Sequence, residues 1–224
     1  MNPTTFVNAL ASFSLSNVFN PYADVCPVHD LKDAAASRRQ NLRTYLSAAV
    51  DIGVDTIWMG RDLGYRGGRR TGLALTDEYH LPELARLYPG CQSRQATRGP
   101  AVAERTASEI WAVLRAIETP PLLWNVFPFH PHEPNNPFSN RRFNARELGE
   151  VEELNDALIS WLNIRRIVAI GQDASHYAER YGIEVTTIRH PSYGGVRDYR
   201  DGMRKLYHLS PAEFGAKQQA TLFC

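Results

Sequence analysis

Three stretches of this 224-residue chain concentrate the residue types that do chemistry. The first, Gly60-Arg61-Asp62-Leu63-Gly64-Tyr65-Arg66-Gly67-Gly68-Arg69-Arg70-Thr71-Gly72, is a glycine-rich loop with one acid near its start. Such glycines let backbone approach a ligand closely. No Gly-Lys-Ser/Thr follows, so the loop is not a phosphate-cradling P-loop. Taken alone, it reads as a tight turn with surface arginines. The second stretch follows Leu122-Leu123-Trp124-Asn125 and contains Phe127-Pro128-Phe129-His130; the third is His190-Pro191-Ser192. His130-Pro131-His132 with Glu133 offers metal-ligating types, but the proline stiffens the backbone and no third ligand pattern follows. No metal is expected. Glu147, Glu150, Glu152 and Glu153 read as the solvated face of a helix rather than a catalytic pair. Cys26, Cys91 and Cys224 are too few for a four-thiolate iron–sulfur cluster, and their odd count argues against a disulfide framework. They are expected as free thiols in a reducing cytoplasm.

Whether these stretches meet depends on the elements between them. Leu42, Leu46, Ala49 and Val50 follow helical spacing, with Ser37 as cap and Gly53 as stop. A strand over 54–59 runs into the glycine loop. A helix over 101–117 ends at Pro120-Pro121, and a strand over 122–127 follows. Residues 128–145, rich in Pro and Asn, form a long loop of the kind that carries function. Asn144 and Glu147 make a capping-box pair for the next helix. A strand over 166–170, a helix over 173–181, a strand over 183–188 and a helix near 198–208 complete the pattern. Residues 1–36 read as an irregular N-terminal arm and 209–224 as a C-terminal tail of one domain, 1–224. Short β-branched strands alternating with helices predict an α/β fold. It is a three-layer α/β/α sandwich around a central, mainly parallel four-stranded sheet. Ligands of such sheets bind beyond the carboxyl ends of the strands, where all three stretches lie.

With that placement, the three stretches resemble the uracil-DNA glycosylase superfamily. Its first motif, G-Q-D-P-Y-H-G-x-G-x-x-x-G-L-A-F-S, aligns without gaps with Gly60 through Thr76. Its second element is an asparagine ending an apolar strand, as Asn125 does. Its third is His-Pro-Ser before a DNA-penetrating loop, and His190-Pro191-Ser192-Tyr193-Gly194-Gly195 is similar. The likeness covers about residues 40–208. It implies that Asp62 orients or deprotonates the attacking water and offsets charge on the oxocarbenium-like sugar. It implies that His190 donates to the negative charge growing on uracil O2. Asn125 would read the uracil edge, because one amide can donate to O4 and accept from N3–H. Arg61, Gly64, Tyr65, Leu75 and Phe127 are the other expected uracil contacts. Ser192, Tyr193, Gly194, Gly195, Val196, Arg197, Arg69 and Arg70 are the expected DNA contacts.

The departures are specific. Gly64 stands where the best-known branch walls off uracil C5 with tyrosine, and Leu75 where it stacks a phenylalanine. Any aromatic platform must come from Tyr65, Tyr79 or Phe127. Glycine replaces the leucine wedge, which leaves Tyr193, Val196 or Arg197 to enter the duplex. The resemblance implies hydrolysis without a cofactor on uracil-containing DNA, giving an abasic-site product and free uracil. A DNA-lesion binder with little turnover is the alternative, and a hydrolase of free nucleotides a third. Lys plus Arg is 25 against 24 for Asp plus Glu, so net charge neither demands nor excludes nucleic acid. The chain shows no secretory leader and no run of the roughly 18 apolar residues a membrane span needs. A soluble, cytoplasmic monomer is expected.

Overall fold

Asn2 opens the first helix, its side-chain oxygen accepting from Thr5 N at 2.9 Å in the computed structural model, which describes residues 1–210. The elements are α1 (Pro3–Ala11), β1 (Val18–Phe19), α2 (Ala34–Ile52), β2 (Thr56–Gly60), α3 (Gly68–Thr71), α4 (Leu81–Leu87) and α5 (Arg105–Leu114). Then come β3 (Leu122–Asn125), β4 (His130–Pro131), α6 (Ala145–Trp161), β5 (Arg166–Ile170), α7 (Gln172–Ala178), β6 (Glu184–Ile188) and α8 (Val196–Tyr207). The four main strands form one parallel sheet in the order β3-β2-β5-β6. Its faces are told apart by two tryptophans. Trp58 pairs in register with Leu123, so Trp124 points the opposite way. Trp58 Nε1 donates to Tyr207 Oη of α8 at 2.6 Å, and Trp124 Nε1 donates to Asn155 Oδ1 of α6 at 2.9 Å. Helices therefore cover both faces, as a parallel sheet requires, and the expected three-layer α/β/α class is the one observed.

Several local expectations change. The arm over 1–36 is not irregular throughout: α1 buries Phe6, Val7 and Leu10 against the core, and β1 pairs antiparallel with β4. Apolar residues one turn apart, with Pro3 in the first turn, explain that short helix. The helix containing Leu42 begins at Ala34, which leaves Ser37 inside it, but Gly53 ends it in the left-handed region at φ 72°. The 128–145 loop holds the short β4 rather than lacking structure. Both halves of the Asn144–Glu147 capping box form. Glu147 is consequently not on a solvated face: it is buried and bidentate with Arg141, at 2.6 and 2.9 Å. The tail expected over 209–224 lies outside the described residues from 211 onward. Among the described residues, no helix is long and apolar enough to cross a membrane.

Candidate active site

The strand order turns back at β2: the chain leaves it toward β3 on one side and later lays β5 on the other. Loops leaving β2 and β5 diverge at such a point and open a crevice at their carboxyl ends. A cleft of about 760 Å³ lies there, lined by Arg61, Asp62, Gly171, Asp173 and His190 among others. The β2–β3 ladder continues past the last strand residues, with Val126 N donating to Gly60 O and Phe127 N to Arg61 O, both at 2.9 Å. That continuation sets Gly60 beside Asn125 and Arg61 beside Val126.

Arg61 braces the acids of the two diverging loops. Its Nε donates to Asp62 Oδ2 at 2.6 Å and its Nη1 to Asp173 Oδ2 at 3.0 Å. Asp62 is otherwise shielded, its side chain 8% exposed. Burial raises its carboxyl above the usual range, against the opposing pull of Arg61. The guanidinium holds one oxygen of Asp62. No hydrogen bond engages the other among the described residues.

Asn125 ends β3 opposite Gly60 in register. A Cβ on Gly60 would collide with Asn125 Oδ1 and come within 3.1 Å of Leu75 Cδ2, so only glycine lets the amide lie there. That amide oxygen is buried and has no hydrogen-bond partner among the described residues. An unmet buried acceptor costs about 1–3 kcal/mol unless a ligand supplies a donor. The oxygen thus points to a ligand N–H.

His190 is set by its own turn. Ser192 backbone N–H donates to His190 Nδ1 at 3.1 Å, and the Ser192 hydroxyl lies 2.7 Å from the same nitrogen. Nδ1 is therefore unprotonated, and the ring proton sits on Nε2. Burial first, then Arg189 and Arg61, pushes the imidazole pKa down to about 4. The ring is neutral at physiological pH. Gly171, at φ 98°, sits behind it, where a Cβ would press His190 Cβ at 3.2 Å. The cleft joins a carboxylate and a neutral imidazole donor; Asn125 is not among its lining residues, and its buried amide oxygen lies behind Gly60, which is.

The remaining expected contacts divide. Gly64, Leu75, Ser192 and Tyr193 line the cleft with Arg61. Leu75 does so at φ 53°, a left-handed conformation costly for a branched side chain. Phe127 is withdrawn: it is fully buried in a ring cluster with Phe129 and Phe143. Tyr65 lines a neighbouring cavity, and Tyr79 lines neither, so none of the three supplies a platform. Tyr193 stands 96% exposed at the loop tip beside Gly194, Gly195 caps α8, and Val196 and Arg197 begin it, with the Arg197 side chain 91% exposed. Arg69 and Arg70 do not face outward as expected. Arg70 Nε pairs with buried Glu78 at 2.9 Å, and Arg69 packs 3.9 Å over the Phe19 ring while donating to Pro137 O. Arg200, three residues beyond Arg197 in α8, pairs with Glu109 at 2.7 Å. His130 cannot serve a metal, since Nδ1 accepts from Arg69 at 3.1 Å and Nε2 donates to Ser139 O at 2.8 Å.

Sequence reasoning missed Glu104 and Arg141. Glu104, just before α5, brings a third carboxylate to the cleft after Asp62 and Asp173, within 3.7 Å of where a Gly64 Cβ would sit. Burial and nearby Asp77 raise its pKa. Arg141 also lines the cleft, held by its ion pair with Glu147. No local pattern marks Glu104; Arg141 stood just before a recognisable cap.

No family model matches the chain, and no curated protein does. Among solved structures it is similar to wild-type SMUG2 of Pedobacter heparinus, with a TM-score of 0.59 and 12% identity over 99% of each chain. At that identity the likeness establishes architecture. The chain has the uracil-DNA glycosylase-like α/β/α fold, with its cleft at the carboxyl edge of the parallel sheet.

Proposed function

We propose that the protein is a monofunctional DNA glycosylase that hydrolyses the N-glycosidic bond of a flipped deoxyuridine, leaving an abasic site and free uracil. The observation that carries this reading is the buried, partnerless Asn125 Oδ1 beside the cleft that holds Asp62 and His190. Uracil N3–H supplies the donor that oxygen lacks, and the amide nitrogen can donate to O4. Cytosine presents an acceptor at N3 and would leave the oxygen unmet, which is how one amide discriminates strongly.

The bond breaks toward an oxocarbenium-like sugar and an anionic uracil. His190, neutral with its proton on Nε2, donates to O2 as charge gathers there. A water adds to the sugar carbon and gives its proton to Asp62, whose negative charge also steadies the cationic sugar. The water oxygen ends on the sugar, and the departing base takes up a proton. Among the described residues, the cleft lining includes no lysine and so no amine to form a Schiff base with the sugar. That favours hydrolysis over strand-cleaving chemistry. The DNA-glycosylase-like architecture of the SMUG2 neighbour agrees with DNA as the partner.

A second reading, a lesion-binding protein with little turnover, draws on the 2.6 Å Arg61–Asp62 ion pair and the missing aromatic platform. Incubating the protein with a uracil-containing oligonucleotide in EDTA, followed by alkali, separates the two. Strand breaks that vanish in Asp62→Asn support the glycosylase. A stable shifted complex without breaks supports the binder, and neither outcome would sink both.

A further inference from the structure

A second cavity, of about 420 Å³, opens on the other side of the glycine loop, lined by Tyr65, Arg66, Arg69, Phe138 and others. Its wall carries four arginines. Two are matched: Arg38 pairs with Asp30 at 2.5 Å and Arg70 with Glu78 at 2.9 Å. Two are not. Arg66 is exposed, 5.7 Å from the Tyr65 ring centroid, and no carboxylate lies within 4.0 Å of it among the described residues. Arg69 is 95% buried and is held between the Phe19 and Phe138 rings at 3.9 and 5.2 Å. Its named protein partners are neutral: the His130 ring, the Pro137 carbonyl and the Cys26 thiol. Placing a guanidinium in such surroundings with no carboxylate in direct contact is expensive; burial lowers the Arg69 pKa, opposed by Cys26 and by the charge of Asp30, a carboxylate already paired with Arg38. The cavity is short of negative charge.

The position of that deficit matters. Gly64 lines the catalytic cleft, while Tyr65 and Arg66, the next two residues, line the arginine cavity. Tyr65 N donates at 3.1 Å to Asn140 Oδ1, and Asn140 also lines the cleft. A single stretch of backbone therefore separates the two spaces. We infer that the arginine cavity is a phosphate-binding pocket, in which Arg66 at the mouth and Arg69 at the wall take a phosphoryl group. Guanidinium groups suit this ligand because their forked donors match phosphate oxygens. The phosphate belongs to the DNA strand next to the flipped nucleotide or to a free phosphate ester. The first source rests on the glycosylase reading; the pocket itself does not.

The test measures binding, with no base release in any arm. A short thymine-only single strand is titrated by fluorescence anisotropy over a range of salt, and inorganic phosphate and thymidine 5′-monophosphate are titrated by calorimetry. Arg66→Glu is the main variant because its side chain is exposed. Arg69→Lys, checked by thermal melting, keeps the charge and removes the fork. If a backbone phosphate fills the pocket, Arg66→Glu lowers the log–log salt slope for the single strand by about 0.7, the share of one phosphate. If a free ester fills it, the small phosphates bind the wild type and lose their heat in Arg66→Glu, with the DNA slope unchanged. An unchanged slope together with no small-phosphate binding would overturn the pocket. A protein inactive on uracil could still pass this test, and an active glycosylase could fail it.

Discussion

Asp62, Asn125 and His190 divide the proposed reaction by charge: the acid faces the cationic sugar, the imidazole the anionic base, and the amide the base edge. Removing a donor such as His190 costs about 10²–10³ in rate, and removing a general base about 10²–10⁴. In single-turnover excision, His190→Ala and Asp62→Asn should fall within those ranges. Asp62→Asn retaining more than about a tenth of the rate would refute its role. Acid should also inhibit. Asp62 must be ionised to take a proton, and burial raises its carboxyl above the ordinary 3.8. The acid limb of the rate profile is therefore centred above 3.8, and Asp62→Asn should flatten it. His190 stays neutral down to about 4, so it adds no limb at higher pH. Asn125→Asp should weaken uracil binding and gain some cytosine excision, since a protonated acid offers that base both a donor and an acceptor. These three residues were legible through the resemblance of three motifs at strand ends, since the glycine loop taken alone reads as a tight turn. Glu104 was not, for the sequence puts it inside the helix expected over 101–117, whereas it stands just ahead of α5 and reaches the cleft from there. It alters the meaning of Gly64, whose open side is bounded by a carboxylate rather than left empty. Gly64→Tyr must displace that carboxylate and should suppress excision of 5-substituted uracils while sparing uracil. A wild type that already rejects every such base would remove the open-pocket reading.

The elements place these groups through strand ends and caps. β2, β3, β5 and β6 were legible as apolar, β-branched runs, and their parallel order followed from the helices between them. Boundaries moved where a turn or a tertiary contact overrode local pattern. The strand expected to reach Phe127 ends at Asn125, and α5 begins only at Arg105. The short α1 escaped notice because its apolar residues span little more than one turn. The Asn144–Glu147 box was readable in sequence, but its link to the site was not: Glu147 also fixes Arg141 at the cleft. A cap of this kind contributes about 0.5–2 kcal/mol. Asn144→Ala should lower the melting temperature by roughly 2–4 °C per kcal/mol lost, as for a domain of this size. Glu147→Ala should do more, freeing Arg141 and weakening substrate binding as well. Equal effects of the two substitutions on binding would show that Arg141 is held by something other than its ion pair. The loop after β6 is the other element with a role, since Tyr193 stands exposed at φ 51° ahead of α8. Under the proposed reaction, Tyr193, Val196 and Arg197 remain the candidates to enter a duplex when a base leaves, and Tyr193 is the aromatic one.

Over the whole molecule, a net charge of +1 hides an uneven distribution. Sequence alone placed Arg69 and Arg70 with Arg197 as facing DNA, because linear position does not reveal which cations have buried partners. Arg70 and Arg200 are committed to Glu78 and Glu109, whereas Arg197 reaches solvent and Arg189 lines the cleft from an exposed position. Two kinds of arginine should then behave differently. Each duplex phosphate neutralised contributes about 0.9 to the log–log dependence of binding on salt. Replacing Arg189 and Arg197 together with Ala should flatten that slope by up to about 1.8, two contacts' worth, and weaken all DNA sequences alike. Stability should stay within about 0.5 kcal/mol, because neither side chain is built into the core. Arg70→Ala should do the reverse. Glu78 is fully buried, and stripping its partner leaves an uncompensated carboxylate, a defect that costs about 3–5 kcal/mol. Thermal melting and salt titration of the same samples distinguish the two cases. A flattened slope with an unshifted melt in Arg70→Ala would mean that the arginine turns outward to DNA after all, and that its pairing with Glu78 gives way when the strand binds.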